Sequence, residues 1–576
     1  MDSRTAAHVL SQIAALLELA GGNRFKSRAY RQAAKAVLAL DTDDLTPLDR
    51  SGELRQTRGV GPAIHSVLRE LIETGGSRYF EQLRESTPEG LLDMLRVPGL
   101  GTAKIQLIHE ALGVDTLQEL EDAARDGRLA TIKGFGPRTA AKILKGIAIL
   151  RETGELVLFP HAFAEGRRLL AGVAAHPGVA RAELAGALRR RREVIRDIDI
   201  VAACTAPPAA VAASVARGPG VKDAVGVGSD TVTIRYVDGT LLDLRCVPED
   251  AFAVAWWRAT GSPEHVAAVL ARAAERGLVL DGDAFRDAAG ARVPVPDEDA
   301  LYRAAGLAHV APELREGRGE LDAAAAGALP GLIEPADIRG VLHCHSRYSD
   351  GNATIEEMAR AAQARGWSYL GISDHSQSAF YAGGVTREQI LEQHAEIDRV
   401  NERLENFRVL KGVEADILGD GRLDYDAEFL DRFDYVIGSV HSRFAMSQEE
   451  MTTRVLAALD DPHLTILGHP TGRLLLTREP YAIDMEAVLE KAGEVGVAVE
   501  LNADPHRLDL DWRLLRVAKD RGVAIEIGPD AHSPQGLDNV EVGVGIARKG
   551  WLEPSDVLNA RSADDVVAFA RRRRGA

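Results

Sequence analysis

Over the first 150 residues, apolar positions recur every three or four, the spacing that lines one face of a helix, and glycine-bearing turns separate the runs. Three stretches repeat one pattern: RGVGPAIHSVLREL at 58–71, PGLGTAKIQLIHEAL at 98–112 and KGFGPRTAAKILKGI at 133–147. Each is glycine, a hydrophobic residue, glycine, and then an amphipathic helix. From about 155 to 315 strand-like runs (DIDIVAA, VTIRYV, LLDLRCV) mix with helical ones such as HVAAVLARAAERG. Residues 316–337 are rich in glycine and alanine and contain PGLIEP, the composition of a linker. From 338 to the end, short apolar runs alternate with helices. The pattern predicts helical segments over 1–80 and 81–154, a mixed domain over 155–315, a linker over 316–337 and a last domain over 338–576.

In that last domain the apolar runs end in residues with chemistry: VLHCHS, YLGISDHS, VLKGVEADI, YVIGSVHS, TILGHP, VAVELNA and AIEIGPDAHS. His343, His375, Glu414, His441, His469, Glu500 and Asp530 follow one another at intervals of 32, 39, 27, 28, 31 and 30 residues. A βαβ unit has about that length, roughly 30 residues. Seven such units predict a parallel (β/α) barrel, whose chemistry gathers at the C-terminal ends of the strands. HCH alone reads equally well as an incidental pair. Six of the sixteen histidines on such ends do not. His, Asp and Glu without a thiolate cluster suit Mn²⁺, Zn²⁺ or Fe²⁺. The candidates outnumber what one ion needs, so two or three ions with bridging carboxylates are expected, a set that can drive displacement at phosphorus.

Composition adds limits. The chain has 576 residues, 45% hydrophobic and 27% charged, which fits a soluble protein of three or four domains. No apolar run is long enough to span a bilayer. The start reads as an amphipathic helix rather than a signal peptide. Cys204, Cys246 and Cys344 form no CxxC pair and read as reduced core thiols, so a cytoplasmic, membrane-free protein is expected. The net charge of −17 does not exclude nucleic acid, because residues 1–150 carry 20 Lys/Arg against 19 Asp/Glu. At each Gly-x-Gly turn (Gly59 and Gly61, Gly99 and Gly101, Gly134 and Gly136) backbone N–H groups at a helix start offer a phosphate site. Such contacts position a duplex without reading its sequence. Lys104, Lys133 and Arg138 lie near these turns, where they could add charge or simply face solvent.

The middle region holds a second candidate centre, AGALRRRREVIRDIDIVAAC at 185–204. Asp197 and Asp199 share one strand face, and Asp243 in LLDLRCV could lie on a neighbouring strand. Three convergent carboxylates suit two Mg²⁺ ions on nucleotide phosphates, though an exposed strand face also explains DxD. The arginines at 189–192 read as phosphate ligands or as a solvated face.

From HCHSRYSDG to DAHS the last domain resembles the PHP (polymerase and histidinol phosphatase) domain, a distorted seven-stranded barrel with a trinuclear site. That resemblance implies one ion held by His343, His345, Glu414 and Asp530, and a second shared through Glu414 with His441 and His469. It puts the third on Asp350, His375 and His532, with Asp374 and Glu500 behind the ligands. Arg473, in HPTGR, would reach a substrate phosphate or lie at the surface. The glycine repeats resemble helix-hairpin-helix motifs. LLELAGGNRFKSRAYRQAAKAV resembles the small DNA-binding domain of family X DNA polymerases, and the middle region resembles their α+β nucleotidyltransferase palm. Gly186, Arg190, Asp197, Asp199 and Asp243 match the palm motif, and ATGS, with Gly261 and Ser262, matches a later nucleotide-binding element. The order of hairpins, palm and barrel is similar to that of bacterial family X polymerases.

The resemblance implies a monomeric, gap-filling repair polymerase acting on gapped or nicked duplex DNA with dNTPs and Mg²⁺ or Mn²⁺. It also implies a 3′–5′ exonuclease in the barrel with up to three Mn²⁺ or Zn²⁺ ions, with AP-endonuclease cleavage left open. The nucleotide pocket departs from the family. Ala187 replaces a serine, Arg196 precedes the aspartate pair, and Val266 stands where many members have asparagine. Val67 stands where eukaryotic relatives place a Schiff-base lysine. A polymerase-impaired repair nuclease and a histidinol-phosphate-type phosphatase are the alternative readings.

Overall fold

The computed structural model describes the chain except residues 2, 20–23, 41, 43, 75, 96, 98–99, 154–155, 237–238 and 575–576. The contacts divide it into two units, 1–154 and 155–576.

The first unit is helical. The helices Ser3–Leu19 and Arg24–Leu38 bury Leu10, Ile13, Tyr30 and Val37 in a core with Leu54, Ile64, Val67 and Leu68. Val67 is therefore a core residue, and no amine occupies its place. A second core joins Leu91, Met94, Ile105, Ile108, Leu120, Phe135 and Ile143. The helices Pro62–Thr74, Thr102–Leu112 and Pro137–Thr153 each begin directly after the second glycine of a Gly-x-Gly repeat. In each case the carbonyl of the second glycine (Gly61, Gly101, Gly136) accepts from the first helical turn. Gly59 and Gly134 take φ of +98° and +96°, conformations in which a Cβ would be strained.

In the second unit the palm is a five-stranded sheet. Its strands are Val179–Leu184 (β1), Ile198–Cys204 (β2), Val221–Val225 (β3), Thr231–Tyr236 (β4) and Leu241–Pro248 (β5). The spatial order is β1-β2-β5-β4-β3, with only the β2–β5 pair parallel. β2 is buried on both faces. Ile198, Ile200 and Ala202 face one core, and Val201 and Ala203 face the other. A further core, built on Trp257, Val269, Phe285, Tyr302 and Leu314, follows the palm.

Residues 316–337, expected as a linker, are packed. They carry the helix Glu320–Ala326, whose Leu321 and Ala324 join that core, while Ile333 is buried in the core of the last domain. Alanine, the best helix former, gives this segment a helix packed along one face rather than a flexible tether.

The last domain contains parallel strands Gly340–Val341 (β6), Tyr369–Ile372 (β7), Arg408–Lys411 (β8), Glu414–Asp416 (β9), Ile437–Ser439 (β10), Ile466–Leu467 (β11), Ala498–Asn502 (β12) and Ile525–Gly528 (β13). β8 pairs with β7 and β9 with β10, so 408–416 is one strand broken at Gly412–Val413. Tyr435 packs against that break, and a Cβ on Gly412 would fall 2.2 Å from its ring. Counted so, the barrel has seven strands. Bridges between Cys344 and Ala531 and between His375 and Glu414 continue the pairing between the two sheets. Intervening helices start with capping boxes at Thr354/Glu357, Thr386/Gln389 and Ser447/Glu450. Leu342, Tyr369, Leu410, Ile437, Ile466 and Ala498 pack with Leu558, Val566 and Phe569. The C-terminal helix Ala563–Arg571 thus covers the N-terminal end of the strands and leaves the other end for chemistry. Among the described residues, no helix is long and apolar enough to cross a membrane.

Candidate metal centres and nucleotide site

At the C-terminal end of the barrel the strands deliver five imidazoles to one carboxylate. Glu414 Oε1 lies 3.0 Å from His469 Nε2 and 3.2 Å from His441 Nε2. Its Oε2 lies 2.9 Å from His375 Nδ1, 3.5 Å from His343 Nε2 and 3.8 Å from His345 Nε2. Asp530 Oδ1 is 3.6 Å from His343 Nε2 and 3.3 Å from His345 Nε2. Asp350 faces His532 Nε2 at 3.3 Å and His375 Nε2 at 3.7 Å. The donors form three groups: His345, Asp350, His375 and His532; His343, His345 and Asp530; His375, Glu414 and His441. The expected partition assigned His375 only to Asp350 and His532. The structure also sets it against Glu414.

This donor set fits divalent cations. His343 Nε2, both ring nitrogens of His345, Glu414 Oε2 and His469 Nδ1 are buried without a hydrogen-bond partner. Burying such atoms unpaired costs free energy that a shared cation offsets. Burial works against ionisation of Glu414, yet His375, His441 and His343 hold its carboxyl well below the usual range. Burial, then the Arg507 guanidinium, push His469 down to about 3, which leaves its ring neutral and able to ligate. His469 and Asp530 also adopt positive φ (22° and 49°), a strain that the surrounding fold must hold in place.

Behind the donors stands a layer of orienting groups. Glu500 Oε1 is 2.6 Å from His343 Nδ1, and its Oε2 accepts from the backbone N–H of His469. Asp374 accepts from the Ser346 N–H at 2.7 Å and from Gln393 Nε2 at 2.6 Å, and so fixes the loop after His345. Sequence reasoning missed two members. Asp416, 2.8 Å from His441 Nδ1, lies two residues after Glu414, a strand spacing that could have revealed it. Arg507, 3.4 Å from Asp530 Oδ2, gave no signal. Arg473 does not sit at the surface or face the centre. It is buried and holds Asp511 at 2.7 Å and Glu193 of the palm at 3.1 Å, because its strand-end loop packs against the palm.

In the palm, the parallel register sets Asp199 directly opposite Asp243, with Asp197 just before β2. The Thr233 hydroxyl donates to Asp243 Oδ1. Burial, then Asp197 and Asp243, push the Asp199 carboxyl up to about 7. Gly186 has φ +58°, and a Cβ there would lie 1.6 Å from Asp199 Oδ2. Only glycine lets the turn pass this carboxylate.

Arg190 donates from Nη1 to the Thr260 carbonyl at 2.6 Å and pairs through Nε with Glu316 at 3.0 Å. It thereby meets the Gly261–Ser262 turn. Ser262 caps the helix Pro263–Glu275 by accepting from His265 N–H, and a Cβ on Gly261 would meet Val266 at 2.9 Å. The arginine run is not a solvated face. Arg189 makes a two-point pair with Glu298 at 2.7 and 2.8 Å, and Arg191 lies 5.0 Å from the Phe159 ring centroid. Ala187 packs beside the Phe159 cluster, whereas Arg196 is exposed.

The raised Asp199 has a stability consequence. A carboxyl with a folded pKa above its unfolded one destabilises the fold once ionised, so the contribution of Asp199 to the stability of metal-free protein should fall as pH rises from about 4 to about 7. The expected loss is on the order of 4 kcal/mol, at about 1.4 kcal/mol per unit. Thermal melts in chelator should show a fall across this range that is steeper in the wild type than in Asp199→Asn. Mg²⁺ at pH 8 should restore the wild type alone. Parallel pH profiles for the two proteins would refute the burial of these acids against one another.

In the helical unit, a Cβ on Gly61, Gly101, Gly134 or Gly136 would meet nothing within 4 Å, so internal packing does not demand these glycines. Gly99 lies outside the described residues. Lys104, Lys133 and Arg138 are exposed near the turns.

Known families match in the same order. The PHP domain matches residues 342–527, the DNA polymerase beta thumb 255–316, a helix-hairpin-helix domain 1–77 and a SAM-like helix-hairpin-helix tandem 91–148. A probable phosphatase of Caldanaerobacter subterraneus subsp. tengcongensis is 28% identical over 250 residues, 41% of this chain and 93% of the relative. One of Clostridium acetobutylicum is 30% identical over 202 residues, 33% of this chain and 78% of the relative. The DNA polymerase/3′-5′ exonuclease PolX of Bacillus subtilis (strain 168) is 37% identical over 575 residues, 99% of this chain and 100% of the relative. That similarity runs without omission through hairpins, palm, thumb and barrel, and the chain belongs to the family of this DNA polymerase/3′-5′ exonuclease.

Proposed function

We propose that this protein fills short gaps in duplex DNA through its palm and shortens 3′ ends through its barrel. One observation carries the reading: two separate carboxylate centres, Asp199 opposite Asp243 and Glu414 among five imidazoles, lie in one unit of the same chain. Asp197, Asp199 and Asp243 would hold Mg²⁺ or Mn²⁺, and the barrel donors up to three Mn²⁺ or Zn²⁺ ions. Bound ions supply Lewis acidity, polarising the primer 3′-hydroxyl and triphosphate in the palm and a water and scissile phosphodiester in the barrel. The chain's own groups do the rest. Thr233 fixes the rotamer of Asp243, and Gly186 lets the backbone approach the acids. Arg190 carries positive charge to the Gly261–Ser262 turn, where the nucleotide triphosphate is read to lie. In the barrel, Asp416 and Glu500 set the imidazole tautomers of His441 and His343, and Arg507 orients Asp530.

The Gly-x-Gly turns would grip the duplex backbone on both sides of a gap. The protein would act as a monomer; a bacterial cytoplasmic location is supported by three buried free thiols. Similarity of the barrel to probable phosphatases favours a second reading, hydrolysis of a small phosphate monoester. A labelled one-nucleotide-gapped duplex with dNTPs and Mn²⁺ separates the two. Extension by one nucleotide, and shortening when dNTPs are withheld, are expected. Release of phosphate from a small monoester with no change in the duplex would overturn the proposal.

A further inference from the structure

The palm turn that carries Gly186 and Arg190 is braced from outside the palm. Lys549, the last residue of the barrel helix Asn539–Lys549, is 1% exposed. Its Nζ donates to Glu316 Oε1, to the Arg190 carbonyl at 3.1 Å and to the Glu313 carbonyl at 3.4 Å, and it lies 4.5 Å from the centroid of the Trp512 ring. The same Glu316 Oε1 accepts from Arg190 Nε at 3.0 Å, and Oε2 from Arg192 Nη1 at 3.3 Å. One carboxylate is therefore shared among three cations. Arg190 in turn holds the Thr260 carbonyl, one residue before the Gly261–Ser262 turn. Beside this node, Arg548 and Glu313 pair at 2.8 Å across the same interface, and a Cβ on Gly545 would touch the Arg191 side chain at 3.2 Å. Three residues along the turn, Glu193 receives Arg473 and the Trp512 indole N–H, each at 3.1 Å.

We propose that Lys549 of the barrel is a positioning residue for nucleotide insertion: by sharing Glu316 with Arg190, it keeps the Arg190 guanidinium available to a triphosphate. The proposal rests on the reading of Arg190 as a nucleotide-binding residue. Lys549 and Arg190 compete for a single anion. With Lys549 present, Glu316 Oε1 divides between an ammonium and a guanidinium, and Arg190 keeps part of its charge for a further anion. With Lys549 removed, Glu316 closes on Arg190 and Arg192 and neutralises the side chain meant to meet the phosphates. Burying an ammonium is costly, and replacing it by an apolar chain of similar length leaves no uncompensated carboxylate here, since two arginines still pair with Glu316. The Arg190 and Glu313 carbonyls each lose one donor, so a modest loss of stability accompanies the change in charge distribution at the nucleotide site. The barrel thus acts on the polymerase reaction through a side chain that touches neither substrate nor metal ligand.

The test uses the whole 576-residue chain on a one-nucleotide-gapped duplex with Mg²⁺. Lys549→Met should raise the KM for dNTP roughly 10-fold with a smaller change in kcat, the loss expected when one charge-assisted contact weakens. Shortening of 3′ ends should stay at the wild-type rate, and the melting temperature should fall by a few degrees at most. Lys549→Met/Glu316→Gln should recover much of the KM, because the neutral amide releases Arg190. Arg190→Ala serves as the control for the underlying reading. If Arg190→Ala leaves the dNTP KM unchanged, the nucleotide-binding reading of Arg190 fails. If Arg190→Ala raises KM while Lys549→Met does not, the proposal itself is overturned. A parallel fall in extension, shortening and melting temperature in Lys549→Met would also overturn it, because the lysine would then be a structural tie only.

Discussion

Glu414→Gln should strip metal from the barrel and stop 3′-end shortening, while gap filling continues. No other carboxylate in the domain lies within 3.8 Å of five imidazoles, among the described residues. An amide in its place loses the negative charge that balances cations on both of its oxygens. His343→Ala or His345→Ala removes a neutral donor from one side only, so each should lower metal content less than Glu414→Gln does. Losing a group that merely orients a ligand costs roughly 10- to 100-fold in metal affinity or activity. Loss of a shared ligand should exceed that range. Elemental analysis of the purified variants, beside the gapped-duplex assay, reads both halves. A Glu414→Gln protein with full metal content and wild-type shortening would sink the arrangement.

The reciprocal result is expected in the palm. Asp243→Asn keeps the size of the side chain and an oxygen for the Thr233 hydroxyl, but removes one of three charges facing the ions. Insertion should fall on the order of 100- to 1,000-fold, the usual cost of deleting one charge-stabilising group. Shortening should persist, since the barrel draws no donor from β2 or β5. Single-turnover insertion with Mg²⁺, compared with shortening by the same preparation, makes the measurement. Insertion near the wild-type rate would remove Asp243 from the reaction.

Periodicity alone was enough to place the helical unit, the barrel and its donor-bearing strand ends. Strand spacing is local, and a parallel βα unit has a narrow length, so donors near every thirtieth residue had to converge. The same logic paired Asp197 with Asp199, and the register of β2 with β5 then brought in Asp243. The segment 316–337 misled because composition reports flexibility only when nothing nearby offers a core. Here Leu321, Ala324 and Ile333 find two.

What the sequence by itself determined is therefore which candidate donors stand on which strand ends, because alternation and repeat length act over a few neighbouring residues. Only the tertiary structure decided that Glu414 is the hub of the donors, that Asp416 and Arg507 steer them, and that Arg189 pairs with Glu298 while Arg190 and Arg192 share Glu316. It alone placed Lys549 beside Arg190, 359 residues earlier in the chain. Such pairings follow from how barrel and palm pack, and a buried charge chooses its partner by distance through space, which no local pattern along the chain encodes.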